Sequence, residues 1–230
     1  MKQALMLKYI ISLLLLAITY NGFSQEKDST TYKSPYGLRL GIDISKPIMG
    51  MIDSNSSGIE FVADYRISKN WYFAAELGHQ KERTVEDYTT STSNGNFIKV
   101  GFNYNAYQNW LDMNNEIYVG LRYGTSLFDQ TLNSYRINTG TDYFVSDNIT
   151  SSTTTTDLNA HWTEFVLGIK VETFKNLYLG FSFNYKIMLS LKHPKNFKTL
   201  YVPGFNRVFE TETGFGFNYT LSYTIPFVNK

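Results

Sequence analysis

Cysteine is absent from the 230 residues. That excludes disulfides, zinc–thiolate sites, thiol catalysis and a lipoprotein anchor on a cysteine. An excess of charge of either sign is also missing: 21 Lys and Arg face 20 Asp and Glu, for a formal net charge of +1. Nothing in that balance points to nucleic acid. Long apolar runs are lacking too. A polytopic helical membrane protein needs segments of about 20 apolar residues, so that class is excluded. What the chain has instead is aromatic side chains, 17 Phe, 18 Tyr and 3 Trp. Hydrophobic residues make up 43 % of it, yet the mean hydropathy is −0.26. The apolar residues are therefore interleaved with polar ones, as in alternating strands.

The N-terminus has the three parts of a secretory signal. Lys2 and Lys8 supply the positive region. Ile10, Ile11, Leu13, Leu14, Leu15, Leu16, Ala17 and Ile18 supply the apolar core, and residues 20–25 a short polar exit. An apolar core of about a dozen residues is too short to cross a bilayer comfortably. The expected organisation is a signal peptide at 1–24, a periplasmic leader at 25–35 and one domain at 36–230. The leader contains Asp28-Ser29-Thr30, which resembles a short O-glycosylation acceptor.

From residue 38 onward the chain alternates in bursts. Leu38, Leu40, Ile42 and Ile44 face opposite to Arg39, Gly41 and Asp43. Seven more bursts follow, centred on Phe61, Phe73, Phe102, Leu121, Leu167, Phe183 and Tyr219. The clearest alternates from Leu177 to Lys192. Period two alone marks any half-buried strand. Three features favour a membrane barrel over a soluble sandwich. The bursts run to about 9–11 residues or more, the length a tilted strand needs to span lipid. Their apolar faces carry almost no charge, while the opposite faces carry many. Turns after the second, fourth and sixth strands are short or moderate, whereas long polar connections are expected at 45–58, 83–96, 128–160 and 193–212. The expected fold is all-β: an eight-stranded, antiparallel, up-and-down transmembrane barrel with both termini in the periplasm.

The inward faces then hold seven acids, Asp43, Glu60, Asp64, Glu76, Glu116, Glu164 and Glu172. They also hold seven bases, Arg39, Arg66, Lys99, Arg122, Lys170, Lys186 and Lys192. Eight strands enclose a lumen that side chains can fill, and buried charges persist when paired. A salt-bridged, closed lumen is expected, with a narrow channel as the alternative. Histidine occurs at 79, 161 and 193. His161, Thr163 and Glu164 come nearest to a hydrolase constellation at the rim, but alternation puts Glu164 on the opposite face from His161 and Thr163. No metal-ligand spacing occurs, and no catalytic residue, cofactor or metal is assigned. The Ser/Thr tract 151–156 is expected to be a mobile loop. The apolar, basic connection containing Tyr201, Phe205 and Arg207 is expected to be a lid or partner loop.

The Phe23-Ser24-Gln25 ending looks like signal peptides of the Bacteroidota. Gly214-Phe215-Gly216-Phe217, leading to Phe227, looks like the C-terminal recognition strand of outer-membrane barrels. The stretch from Tyr36-Gly37-Leu38-Arg39-Leu40-Gly41 to Pro47, with Glu76-Leu77-Gly78, resembles the small eight-stranded, porin-like outer-membrane barrels of Bacteroidota. The resemblance implies a location in the outer membrane and contact with its lipid and lipopolysaccharide. It brings no activity and no catalytic residue. The function expected is that of a non-enzymatic barrel, structural or accessory to an outer-membrane complex, with other outer-membrane proteins as partners and no nucleic acid. The alternatives are a rim-active lipid hydrolase and a narrow channel.

Overall fold

Alternating side chains make each segment two-faced, and antiparallel pairing of neighbours lets one face of all of them point inward. The computed structural model describes residues 35–109, 114–137, 147–195 and 197–229. The expected signal peptide, cleavage site and acceptor motif lie outside the described residues. The elements run β1 (Pro35–Asp43), α1 (Ser45–Ile52), β2 (Ser56–Arg66), β3 (Trp71–Val85), β4 (Thr89–Asn105), β5 (Glu116–Tyr135), β6 (Ile149–Phe174), β7 (Leu177–Leu191), β8 (Tyr201–Val202), β9 (Asn206–Arg207) and β10 (Thr213–Asn229). Eight of these strands close into a barrel in the order β1-β10-β7-β6-β5-β4-β3-β2. Closure is antiparallel on both sides of β1: Leu40 lies opposite Tyr223 on β10 and Ala63 on β2. The short strands β8 and β9 form a separate hairpin.

The distribution of side chains is the reverse of a soluble protein, which buries apolar groups and exposes charge. Outside stand Phe61, Leu121, Leu167 and Phe217, each more than half exposed. Inside stand Glu60 and Glu164 at 0 % exposure and Lys99 at 1 %. Rings on the outer face meet across strands, as Trp71 meets Tyr104 at 5.2 Å and Phe73 meets Phe102 at 5.6 Å. Such aromatic pairs stabilise neighbouring strands beyond what backbone bonds do.

The connections depart from expectation in three places. Between β3 and β4 there is no long loop over 83–96. Both strands continue, Val85 pairs with Thr90, and only 86–88 turn between them. Likewise β5 and β6 extend through most of 128–160. The Ser/Thr tract 151–156 is strand, with Thr153, Thr154 and Thr155 opposite Leu132, Thr131 and Gln130. Threonine is β-branched and suits a pleated surface, and the Thr131 and Thr154 hydroxyls bond across the strands at 2.9 Å. The tract has no apolar face, so alternation could not reveal it. Third, 45–58 is not a polar loop. It contains α1, with Pro47 in the first turn, where a missing N–H costs no intrahelical bond, and with Ile48, Met49, Met51 and Ile52 exposed.

Candidate functional site

The inward rows bring the charges into two separate neutral clusters. The first lies towards the end where β1 begins and β2 ends. Arg39 sits 3.3 Å from Asp64, its register partner on β2, and reaches across to Glu116 at 2.5 Å. Lys170 also pairs with Asp64. Glu116 and Lys170 are register neighbours, yet each bonds across the lumen rather than to the other. The rings of Tyr178, 4.3 Å from the Arg39 guanidinium, and Tyr118, 5.2 Å from the Lys170 ammonium, fill the space between. Gly168 makes room for this packing: a Cβ there would lie 2.4 Å from the Tyr118 ring.

The second cluster centres on Lys99. Its ammonium is 2.8 Å from Glu60, 2.8 Å from Glu76 and 4.0 Å from Glu164. Arg122 holds the other oxygen of Glu76 at 3.2 Å and donates to Asn103 at 2.8 Å. Lys186 lies 3.7 Å from Glu164, which also accepts from the Trp162 indole at 2.6 Å. Two acids thus match two bases in the first cluster and three match three in the second. Pairing of this kind is the condition for charge to remain inside a barrel.

Above the second cluster the inward rows turn apolar. Phe97, Phe128, Leu158, Ala160, Trp162 and Met188 line the mouth, and Val202 and Phe205 of the β8–β9 hairpin descend into it. Phe205 meets Trp162 edge to face at 5.9 Å. The hairpin is tied by polar bonds as well. Gln80 donates to the Tyr201 hydroxyl and accepts from the Gly204 amide at 3.2 Å. Ser93 donates to the Tyr201 carbonyl at 2.9 Å, and Lys186 to the Gly204 carbonyl at 2.7 Å. Gly204 has φ +82°, and a Cβ there would strike Phe97 at 2.5 Å, so only glycine fits this turn. Burial holds the Tyr201 hydroxyl well above the ordinary tyrosine range.

The remaining residues singled out from the sequence fall elsewhere. Asp43 is buried without an ion pair among the described residues and accepts from Ser45, Asn218 and Tyr219. Arg66 is at the lower rim, donating to the Lys69 carbonyl at 2.6 Å beneath the Tyr36 and Tyr72 rings. Glu172, at the same rim, accepts from Asn114 and from the Asn176 amide. Lys192 is not inward. It is exposed and donates to the Asp157 carbonyl. His161 faces outward and bonds the Tyr123 hydroxyl at 3.0 Å, while Glu164 is fully buried inside, so the rim constellation is not assembled. Among the described residues no three His, Asp or Glu are grouped to hold a metal.

Arg207 lies outside the hairpin's buried tip and pairs with Glu86 at 2.7 Å, the two side chains 57 % and 34 % exposed. Arg207→Ala is expected to lower stability by about 0.5 kcal/mol, the ordinary value of an exposed pair. Urea titration of the two proteins checks this; a loss of several kcal/mol would make the pair a latch for the hairpin. Sequence reasoning missed Gln80, Trp162, Phe97 and Phe128 as mouth residues. The signal was present in β6, where Leu158, Ala160, Trp162 and Glu164 form one inward row.

A family model described as a domain of unknown function (DUF6048) matches residues 6–230. No curated protein matches the chain. The crystal structure of Ail, the attachment invasion locus protein of Yersinia pestis, is similar with 9 % identity, covering 84 % of this chain and 99 % of that one at a TM-score of 0.42.

Proposed function

The chain belongs to the DUF6048 family, and from that premise we propose that it is an integral outer-membrane β-barrel whose lumen is closed, serving as a structural or accessory component of the envelope. One observation carries this reading: charge is sealed inside the barrel and large apolar side chains cover its outside. In water that arrangement would leave a wide apolar belt bare. In lipid it is the stable one. The height of the belt agrees. On β5 the outward side chains from Ile117 to Leu127 are apolar apart from Thr125, and the row reaches one residue pair higher than on β4. Ten steps of about 3.3 Å, tilted about 40°, rise about 25 Å, the apolar height of an outer-membrane barrel.

The signal-like segment at 1–24 delivers the chain for export, in the manner of Bacteroidota. The termini then lie on the periplasmic side, with the tight turns at 67–70 and 175–176. The hairpin-closed mouth faces the lipopolysaccharide leaflet. We read the barrel as non-enzymatic because His161 and Glu164 lie on opposite faces of the wall. Other outer-membrane proteins are its natural partners.

Refolding from urea into lipid vesicles tests the membrane part. The folded protein is expected to resist SDS until boiled, and failure to insert would sink the reading. Planar bilayers test the closed lumen. No stepwise conductance is expected, since the two ion-pair clusters and the hairpin block the path in series. Stable openings would make the protein a channel. Recovery as a monomer alone from mild detergent would remove the accessory-subunit role.

A further inference from the structure

We propose that α1 is an interfacial helix that lays its apolar face into the lipid beside the outer mouth of the barrel; this rests on the outer-membrane reading. The helix is two-sided. Lys46 and Gly50, four residues apart, share one face. Gly50 presses on β2, where a Cβ would lie 3.1 Å from the Ser56 carbonyl. Lys46 is within electrostatic reach of Glu60 and Glu82. Ile48 and Ile52, two residues further round, share the opposite face, with Met51 beside them. They are 47 %, 77 % and 87 % exposed. Nothing among the described residues covers them.

The height of the helix identifies the occupant. On β2 the outward residues are Tyr65, Ala63, Phe61 and Ile59, and then Ser57. On β3 and β4 the outward row changes one residue pair lower, from Leu77 and Ile98 to His79 and Asn96, which bond at 2.8 Å; His79 is the register partner of Ile59. So on β2, the strand α1 rests on, the apolar belt ends at Ile59, one residue pair below the contact with Gly50. The exposed arc of α1 continues the belt just where hydrocarbon gives way to headgroups. Amphipathic helices at that depth bury their apolar side about 5–10 Å into the boundary. A protein partner suits the patch poorly. Eight residues make a helix about 12 Å long and about 10 Å wide, so the arc offers on the order of 100 Å². A stable protein interface needs roughly 800 Å² from each side.

The absence of cysteine allows a direct test. Met51→Cys is labelled with an environment-sensitive fluorophore and refolded into vesicles of acyl-brominated lipid. Leu167→Cys, in the middle of the belt, and Thr154→Cys, on the extension above it, serve as references, and Ile52→Cys replaces Met51→Cys should that variant misfold. The label on α1 is expected to shift to the blue and to be quenched, approaching the Leu167 reference. Emission like that of the Thr154 reference, with Leu167 quenched, overturns the inference and leaves the barrel reading intact. An unquenched Leu167 label overturns both. Shielding that rises with protein-to-lipid ratio overturns lipid in favour of a second copy of the chain.

Discussion

Lys99→Met is expected to lower the free energy of unfolding by about 3–5 kcal/mol, the usual loss when one partner of a buried ion pair is removed. The ammonium is 1 % exposed and stands among three carboxylates, Glu60, Glu76 and Glu164. Without it, Arg122 and Lys186 remain as the cations of that cluster. Glu60, at 0 % exposure, loses its bridge to β4, two strands away. The variant Lys99→Met with Glu60→Leu is expected to recover part of the loss, because an apolar pair costs less there than a lone charge. Urea titration in vesicles, followed by tryptophan fluorescence, to which Trp162 above the cluster contributes, measures both. The deficit is expected to persist in molar salt, since a sealed pair is screened far less than an exposed one. A loss below about 1 kcal/mol would mean that water reaches Lys99 and screens it like a surface pair, and the closed lumen would fall with it.

The charged lumen was legible because alternation places whole rows of side chains. Once Leu40 and Phe61 are outward, Arg39, Glu60 and Asp64 must be inward, and burial of all three follows from the pleat. The specific pairs were not legible. Glu116 and Lys170 are neighbours in register, yet Glu116 bonds Arg39 and Lys170 bonds Asp64. Choice among several nearby partners depends on distances across the lumen, which a row of residues does not encode. Alternation puts Tyr118 and Tyr178 on inward rows but does not single them out as the rings that face Lys170 and Arg39.

Two kinds of element were hidden for opposite reasons. The upper ends of β4 and β6 stand above the apolar belt, and Thr90 to Gly95 on β4 and Thr153 to Asp157 on β6 are polar on both faces, so they give no alternating contrast. Threonine's β-propensity was the remaining cue, and a run of Ser and Thr is also what a solvated loop contains. The mouth was hidden by an apolar signal on the wrong side. Phe97, Trp162 and Met188 are inward at positions where the rows below carry charge. Their hydrophobic partners, Val202 and Phe205, come from a distant connection, so no local pattern announces the contact. Arg207 differs from Phe205 by two residues but faces solvent, because the tight turn at Gly204 lets only the hairpin tip enter the mouth.

Leu167→Arg is expected to cost about 2–4 kcal/mol in a bilayer, the range for a cation near the midplane on the lipid face of a barrel. Leu167 is 59 % exposed and lies between Val119 on β5 and Phe183 on β7, both outward and apolar. Exposure of that size in water would make the substitution nearly neutral, because surface changes away from special features stay within about 0.5 kcal/mol. The two environments therefore predict opposite results from one side chain. Thr154→Arg, on the same strand above the belt, is expected to stay within that smaller range in either case. Equilibrium urea unfolding in vesicles compares the two variants with the parent chain. A large loss at 167 with none at 154 measures where hydrocarbon ends along β6. Equal, small effects at both positions would mean that the outer face of the barrel meets water or another protein, and the apolar belt would then need a different owner.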